Sequence, residues 1–164
     1  MFDNELLPLQ RTYNGSRLKF LVLGRADIRT ITPDVPYIVI SITDPDKPDA
    51  EIAESPYKRA VLRLKFDDAT YVDVPGLEGF TLGNSIELTE VEADAILAFV
   101  KINLNTVEMI ICQCEAGVSR SAGVAAALSW ILQDDDDFFF AHYCPNRRIY
   151  HTILDAAKKL SPEK

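Results

Sequence analysis

Residues 107 to 132 constrain this chain more than any other stretch. Val107-Glu108-Met109-Ile110-Ile111-Cys112 is apolar and β-branched, the composition of a central strand buried on both faces. Ser121-Ala122-Gly123-Val124-Ala125-Ala126-Ala127-Leu128-Ser129-Trp130-Ile131-Leu132 reads as a buried helix, and Gly123, Ala125, Ala126 and Ala127 would let it press close to a sheet. The run from Cys114 to Ser121 therefore lies at the carboxyl end of a strand and the amino end of a helix. Unpaired N–H groups and the positive end of the helix dipole converge there, which makes an anion site before any side chain is counted.

The side chains in that run suit the same purpose. In Cys114-Glu115-Ala116-Gly117-Val118-Ser119-Arg120-Ser121 the cysteine supplies a sulfur anion, and the arginine brings two parallel donors for phosphate oxygens. The residues from Glu115 to Arg120 form the expected phosphate cradle, the small ones letting backbone N–H groups turn inward. Holding a thiol ionised at neutral pH takes about 4 kcal/mol when its pKa must fall by about three units. A helix terminus supplies only about 0.3–2 kcal/mol of that, so the converging amides, Arg120 and the Ser121 hydroxyl are expected to supply much of the rest.

At these residues the chain resembles a family. Cys-x5-Arg-Ser, and more narrowly Cys-x-Ala-Gly-x-Ser-Arg-Ser, is similar to the active-site loop of dual-specificity phosphatases within the cysteine-dependent protein tyrosine phosphatase superfamily. The resemblance implies a two-step phosphomonoester hydrolysis through a phosphocysteine, without metal or other cofactor. Cys114 would be the nucleophile, Arg120 and the loop amides would hold the equatorial oxygens, and Ser121 would help the thiolate leave. One position departs from the pattern: Gln113 stands where the family usually carries histidine. Its amide can still donate to a nearby carbonyl. A phosphate- or phosphoprotein-binding module without turnover is the alternative reading.

The resemblance also implies a general acid on a separate loop, just past an upstream strand. Leu62, Leu64 and Phe66 alternate with Arg63 and Lys65, and the next inward phase falls on Asp68. Asp68 is the expected acid, with Asp67 second and Asp73 third. The gap from Asp68 to Cys114 is longer than the family usually shows, so Tyr71 to Ser85 reads as an inserted loop.

Charge narrows the partners. A formal net charge of −8 over 164 residues disfavours nucleic acid or anionic membrane as the main ligand. The loop itself has no lysine. A phosphorylated protein or a small aryl phosphate is the expected substrate. No apolar run approaches a membrane span, Met1 to Glu5 lacks the order of a secretory signal, and three cysteines in a thiolate-dependent chain favour a reducing, cytoplasmic setting. Oligomeric state is not legible.

The remaining pattern is an alternating α/β chain, expected to form one domain over 1–164 with the family resemblance spanning roughly 18–160. The expected architecture is a central, mostly parallel sheet of four to five strands flanked by helices. Leu18 to Leu23, Tyr37 to Ile42, Ala60 to Phe66 and Val107 to Cys112 read as strands. A helix from near Thr89 to about Asn103 opens with a Thr89/Glu92 capping box, and Asn146 caps a last helix ending about Leu160. Asp134 to Asp137 reads as a solvated turn, Phe138 to Phe140 as core plus rim, and Cys112 as an ordinary buried thiol. Arg147 and Arg148 read first as a solvated helix start and second as substrate contacts.

Overall fold

The computed structural model describes residues 18–69 and 85–160. Strands β1 (Lys19–Leu23), β2 (Tyr37–Thr43), β3 (Lys58–Lys65) and β4 (Met109–Gln113) form one sheet in the order β1-β4-β2-β3, every pair parallel. Parallel neighbours need long crossovers, and a parallel sheet needs cover on both faces. β2, buried at all seven positions, is the clearest case. The α/β class expected from the sequence is what forms.

Helices supply the cover. They are α1 (Arg25–Ile28), α2 (Glu90–Asn103), α3 (Arg120–Gln133), α4 (Asp137–His142) and α5 (Arg147–Lys159), with a 3-10 turn at Leu104–Thr106. On one face of the sheet Ile38, Ile40, Ile42, Ile110 and Cys112 join Ile96, Val124, Leu128 and Ile153 in the large core. On the other face Tyr37, Val39 and Ile111 pack with Ile28 and Ala50 in a smaller one. No helix among the described residues is long and apolar enough to cross a membrane.

Local signals set most boundaries. Thr89 and Glu92 form the expected reciprocal capping box at α2, and the Asn146 side chain accepts from the Ile149 N–H to cap α5. Asp134 closes α3 in the left-handed region (φ 59°), its N–H donating to the Trp130 carbonyl. Phe139 is buried and Phe138 exposed, the core-and-rim division expected. β3 starts two residues ahead of Ala60 and ends before Phe66, although the Phe66 N–H still donates to the Thr43 carbonyl. The four-residue α1 has no signal in the sequence. Arg148 is half-buried against Glu87 rather than solvated, and the Arg147 guanidinium lies 5.0 Å over the Phe140 ring. The inserted loop expected over Tyr71 to Ser85 lies outside the described residues, Ser85 excepted, as does Asp73.

α3 sits unusually deep, buried from Arg120 through Ser129. It crosses the start of α5 so closely that a Cβ on Gly123 would stand 2.8 Å from the Asn146 carbonyl oxygen. A G123A variant gains up to about 1 kcal/mol in helix propensity against an overpacking cost of about 1–3 kcal/mol. We expect a net loss of stability, read as a lower urea midpoint with an unchanged slope; a raised midpoint would show that α5 can yield.

Candidate active site

Every strand of the sheet delivers a site residue at its carboxyl end. β1 leads to Gly24 and Arg25, β2 to Asp44, β3 to Asp68 and β4 to Cys114. Ligands of open parallel sheets bind at these ends, where crossovers diverge and helix amino ends collect. β4 lies between β1 and β2, so the loop that follows it is walled on both sides.

The sulfur of Cys114 is buried, the residue being 2% exposed. Its Sγ lies 3.1 Å from the Ser121 hydroxyl and accepts from the Gly117 N–H at 3.3 Å. Both groups can stabilise negative charge on sulfur. Cys112, two positions back on β4, is a different thiol: burial, and secondarily the nearby Cys114, push its pKa far up and keep it protonated.

The loop closes by backbone meeting backbone. The Cys114 N–H donates to the Leu23 carbonyl at 3.2 Å and the Arg25 N–H to the Glu115 carbonyl at 3.0 Å. Gly117 takes φ +73°, and a Cβ there would stand 2.5 Å from the Gly24 nitrogen. Conformation and space both require glycine at this position. On the far side the Cys144 N–H donates to the Val118 carbonyl and the Asn146 N–H to the Ser119 carbonyl. Ala116 lies on the Gly24 side of the loop, whereas Val118 is 43% exposed and presents an apolar group to solvent.

Arg120 opens α3 and is almost entirely buried. Its Nη1 donates to Asp44 Oδ1 at 2.7 Å and to the Phe66 carbonyl at 2.9 Å. Those two bonds use both hydrogens of Nη1, leaving the Nε and Nη2 edge of the guanidinium as the pair that can grip an anion side-on. The Nη1 bonds therefore go to the wall of the site rather than to the sulfur. The Lys47 ammonium, foremost, and Arg120 hold the Asp44 carboxyl below the usual carboxylate range, against the opposing effect of burial. Because that pKa is depressed on folding, the stabilisation is complete above the ordinary carboxylate range and fades as pH falls through the lowered value. Sequence patterning gives no role to Asp44; its signal is a short polar residue directly after a buried parallel strand.

Asp68 is exposed, so the inward alternation of β3 does not reach it. The strand has ended, and hydrogen bonding aims the side chain instead. Its Oδ1 accepts from the Ser119 hydroxyl and from Asn146 Nδ2, both at 2.7 Å, which seats the side chain against the 114–121 loop. Asp67 turns elsewhere: its Oδ2 accepts from the Ile86 N–H at 2.7 Å. Asn146, read from sequence as a helix cap, also donates to the Ala69 carbonyl at 2.9 Å. It joins the start of α5, the loop and the segment after β3. Ser119 precedes α3 without capping it, its hydroxyl being spent on Asp68.

Gln113, fully buried, bridges β2 and the loop. Its Nε2 donates to the Cys114 carbonyl at 3.0 Å, and its Oε1 accepts from the Ser41 hydroxyl at 2.5 Å. Ser41 is its register partner on β2. A side-chain donor to the Cys114 carbonyl is thus present at this position.

No family model matches the chain, and no curated protein matches it. Among solved structures it is similar to a human tyrosine phosphatase-like serine/threonine/tyrosine-interacting protein, with 15% identity over 76% of this chain and 78% of that one and a TM-score of 0.40. It is also similar to Tk-PTP in its active form, with 12% identity over 89% of this chain and 92% of that one and a TM-score of 0.43.

The two duties of Asn146 can be separated. Asn146→Ser keeps a capping acceptor but loses the donor to Asp68 and Ala69, whereas Asn146→Ala loses both. We expect the alanine variant to lose about 1 kcal/mol more stability than the serine variant, the usual worth of an N-cap, by urea unfolding. Equal losses would show that the cap contributes nothing here.

Proposed function

We propose that the chain is a cysteine-dependent phosphomonoester hydrolase, acting on a phosphorylated protein or a small aryl phosphate. The observation that carries this reading is one cradle: a sulfur with a hydroxyl at 3.1 Å and an amide at 3.3 Å, beside an arginine held, among the described residues, through Nη1. Cys114 attacks phosphorus while the Nε and Nη2 edge of Arg120 and the amides from Glu115 to Arg120 take up the equatorial oxygens. Preorganised donors aimed where charge develops are usually the largest catalytic contribution. Asp68, through the oxygen not held by Ser119 and Asn146, protonates the departing oxygen. It then takes a proton from the water that opens the phosphocysteine. Ser121 supports the sulfur as it leaves.

Gln113 supports a second reading, a module that holds a phosphorylated partner without cleaving it. Its hydrogen bond to the Cys114 carbonyl favours turnover, but the amide lacks the charge that an imidazolium could bring to the thiolate. Hydrolysis of an aryl phosphate in the presence of a chelator tests both readings. Activity that resists the chelator and disappears in C114S supports the hydrolase; no activity, with phosphopeptide retained by the wild type, supports the module.

Two variants probe the assigned roles. Asp68→Asn is expected to slow a substrate with a poor leaving group by 10²–10⁴-fold, the usual span of general acid–base catalysis, and an activated aryl ester far less. An equal loss on both substrates would remove Asp68 from proton transfer. Asp44→Asn, which keeps the shape but loosens Arg120, is expected to lower kcat/KM by roughly 10–100-fold, the order of one charge-assisted hydrogen bond. An unchanged value would show that Phe66 alone suffices.

A further inference from the structure

Glu115 poses a problem for any phosphate site. It follows the nucleophile directly, and a free carboxylate there opposes both a thiolate and an incoming phosphate dianion. The structure pairs it with one cation. Arg25, the first residue of α1, places Nη1 3.0 Å from Glu115 Oε1. Both side chains are well sheltered, at 27% and 18% exposed, so salt screens this pair less than an open one.

The rest of Arg25 is equally committed. Its Nη2 donates to the Pro48 carbonyl at 2.6 Å and the Asp49 carbonyl at 3.2 Å, and its backbone N–H to the Glu115 carbonyl. Pro48 and Asp49 belong to the same connection as Asp44, which holds Arg120. One guanidinium thus joins the first residue of the cradle after the nucleophile to the wall that carries the Arg120 clamp. Lys47 lies in that connection too and is attracted by Glu115, although its own hydrogen bond is with Asp44.

We propose that Arg25 is a positioning residue for phosphate binding: it draws the Glu115 carboxylate out of the anion's field and ties the loop to the 44–49 connection. The inference rests on the hydrolase reading and adds a residue to it. The neutralising half of the role predicts a pattern that simple packing does not. Arg25→Met removes the charge but keeps much of the stem, and Arg25→Lys keeps the charge but loses the two-carbonyl fork.

The test measures tungstate affinity by calorimetry and the kcat and KM of aryl phosphate hydrolysis, on the full chain. R25M is expected to weaken tungstate binding and raise KM by roughly tenfold, about 1.4 kcal/mol, with a smaller change in kcat. R25K is expected to recover most of the affinity. In the background of R25M, the further change Glu115→Gln should restore affinity to within about threefold of wild type, because the repelling charge is then gone. If R25M leaves affinity and KM unchanged, the proposal is overturned. If R25M/E115Q binds no better than R25M, Arg25 acts as a tether alone and the neutralising role is overturned. A wild type that neither binds tungstate nor hydrolyses the ester overturns the hydrolase reading itself, and this inference with it.

Discussion

The site depends on one contact between two pieces of backbone. Gly117 presses against Leu23 and Gly24 at a distance that no Cβ could share, and from that contact the loop's shape follows. The left-handed φ of Gly117 turns its N–H toward the sulfur of Cys114. The same approach brings Arg25 against Glu115 and lets the Cys114 and Glu115 backbones pair with the chain leaving β1. A strand, a turn and a helix start become one rigid cradle because nothing but main chain separates them.

The parallel sheet makes that contact possible. With β4 placed between β1 and β2, the connections leaving those strands stand on either side of the loop. β3, at the edge, sends Phe66 and Asp68 back across the top, where the Phe66 carbonyl receives Arg120 and Asp68 receives Ser119. Each side chain is therefore held by a different crossover. Such a site is fixed by the whole fold rather than by one segment, which suits chemistry that tolerates little misplacement. The helices serve the same end: α3 brings Arg120 and Ser121, and the start of α5 brings Asn146.

Burial and charge divide the polar residues into two sets. Gln113, Ser41 and Asn146 are buried and hydrogen-bonded, as buried polar groups must be, and they orient others. Asp44 and Glu115 face cations at the rim, and Asp68 accepts there from two neutral donors. An acidic rim around an anion cradle is workable only when its carboxylates are occupied, and here each one is.

Sequence alone determined the parts whose signals are local. The strand, loop and helix from 107 to 132, the Cys-x5-Arg-Ser loop, the caps at Thr89 and Asn146, and the α/β class all follow from periodicity, propensity and short-range hydrogen bonding. Asp68 was nameable from the alternation of β3 and the family pattern, yet it reaches the loop for another reason, since the strand ends before it and Asn146 and Ser119 hold it there. Only the tertiary structure decided the partners: Asp44 for Arg120, Ser41 for Gln113, Arg25 for Glu115. These pairs are separated by 72 to 90 positions. No periodicity relates residues that far apart, and they meet because parallel strands bring all their carboxyl ends to the same edge.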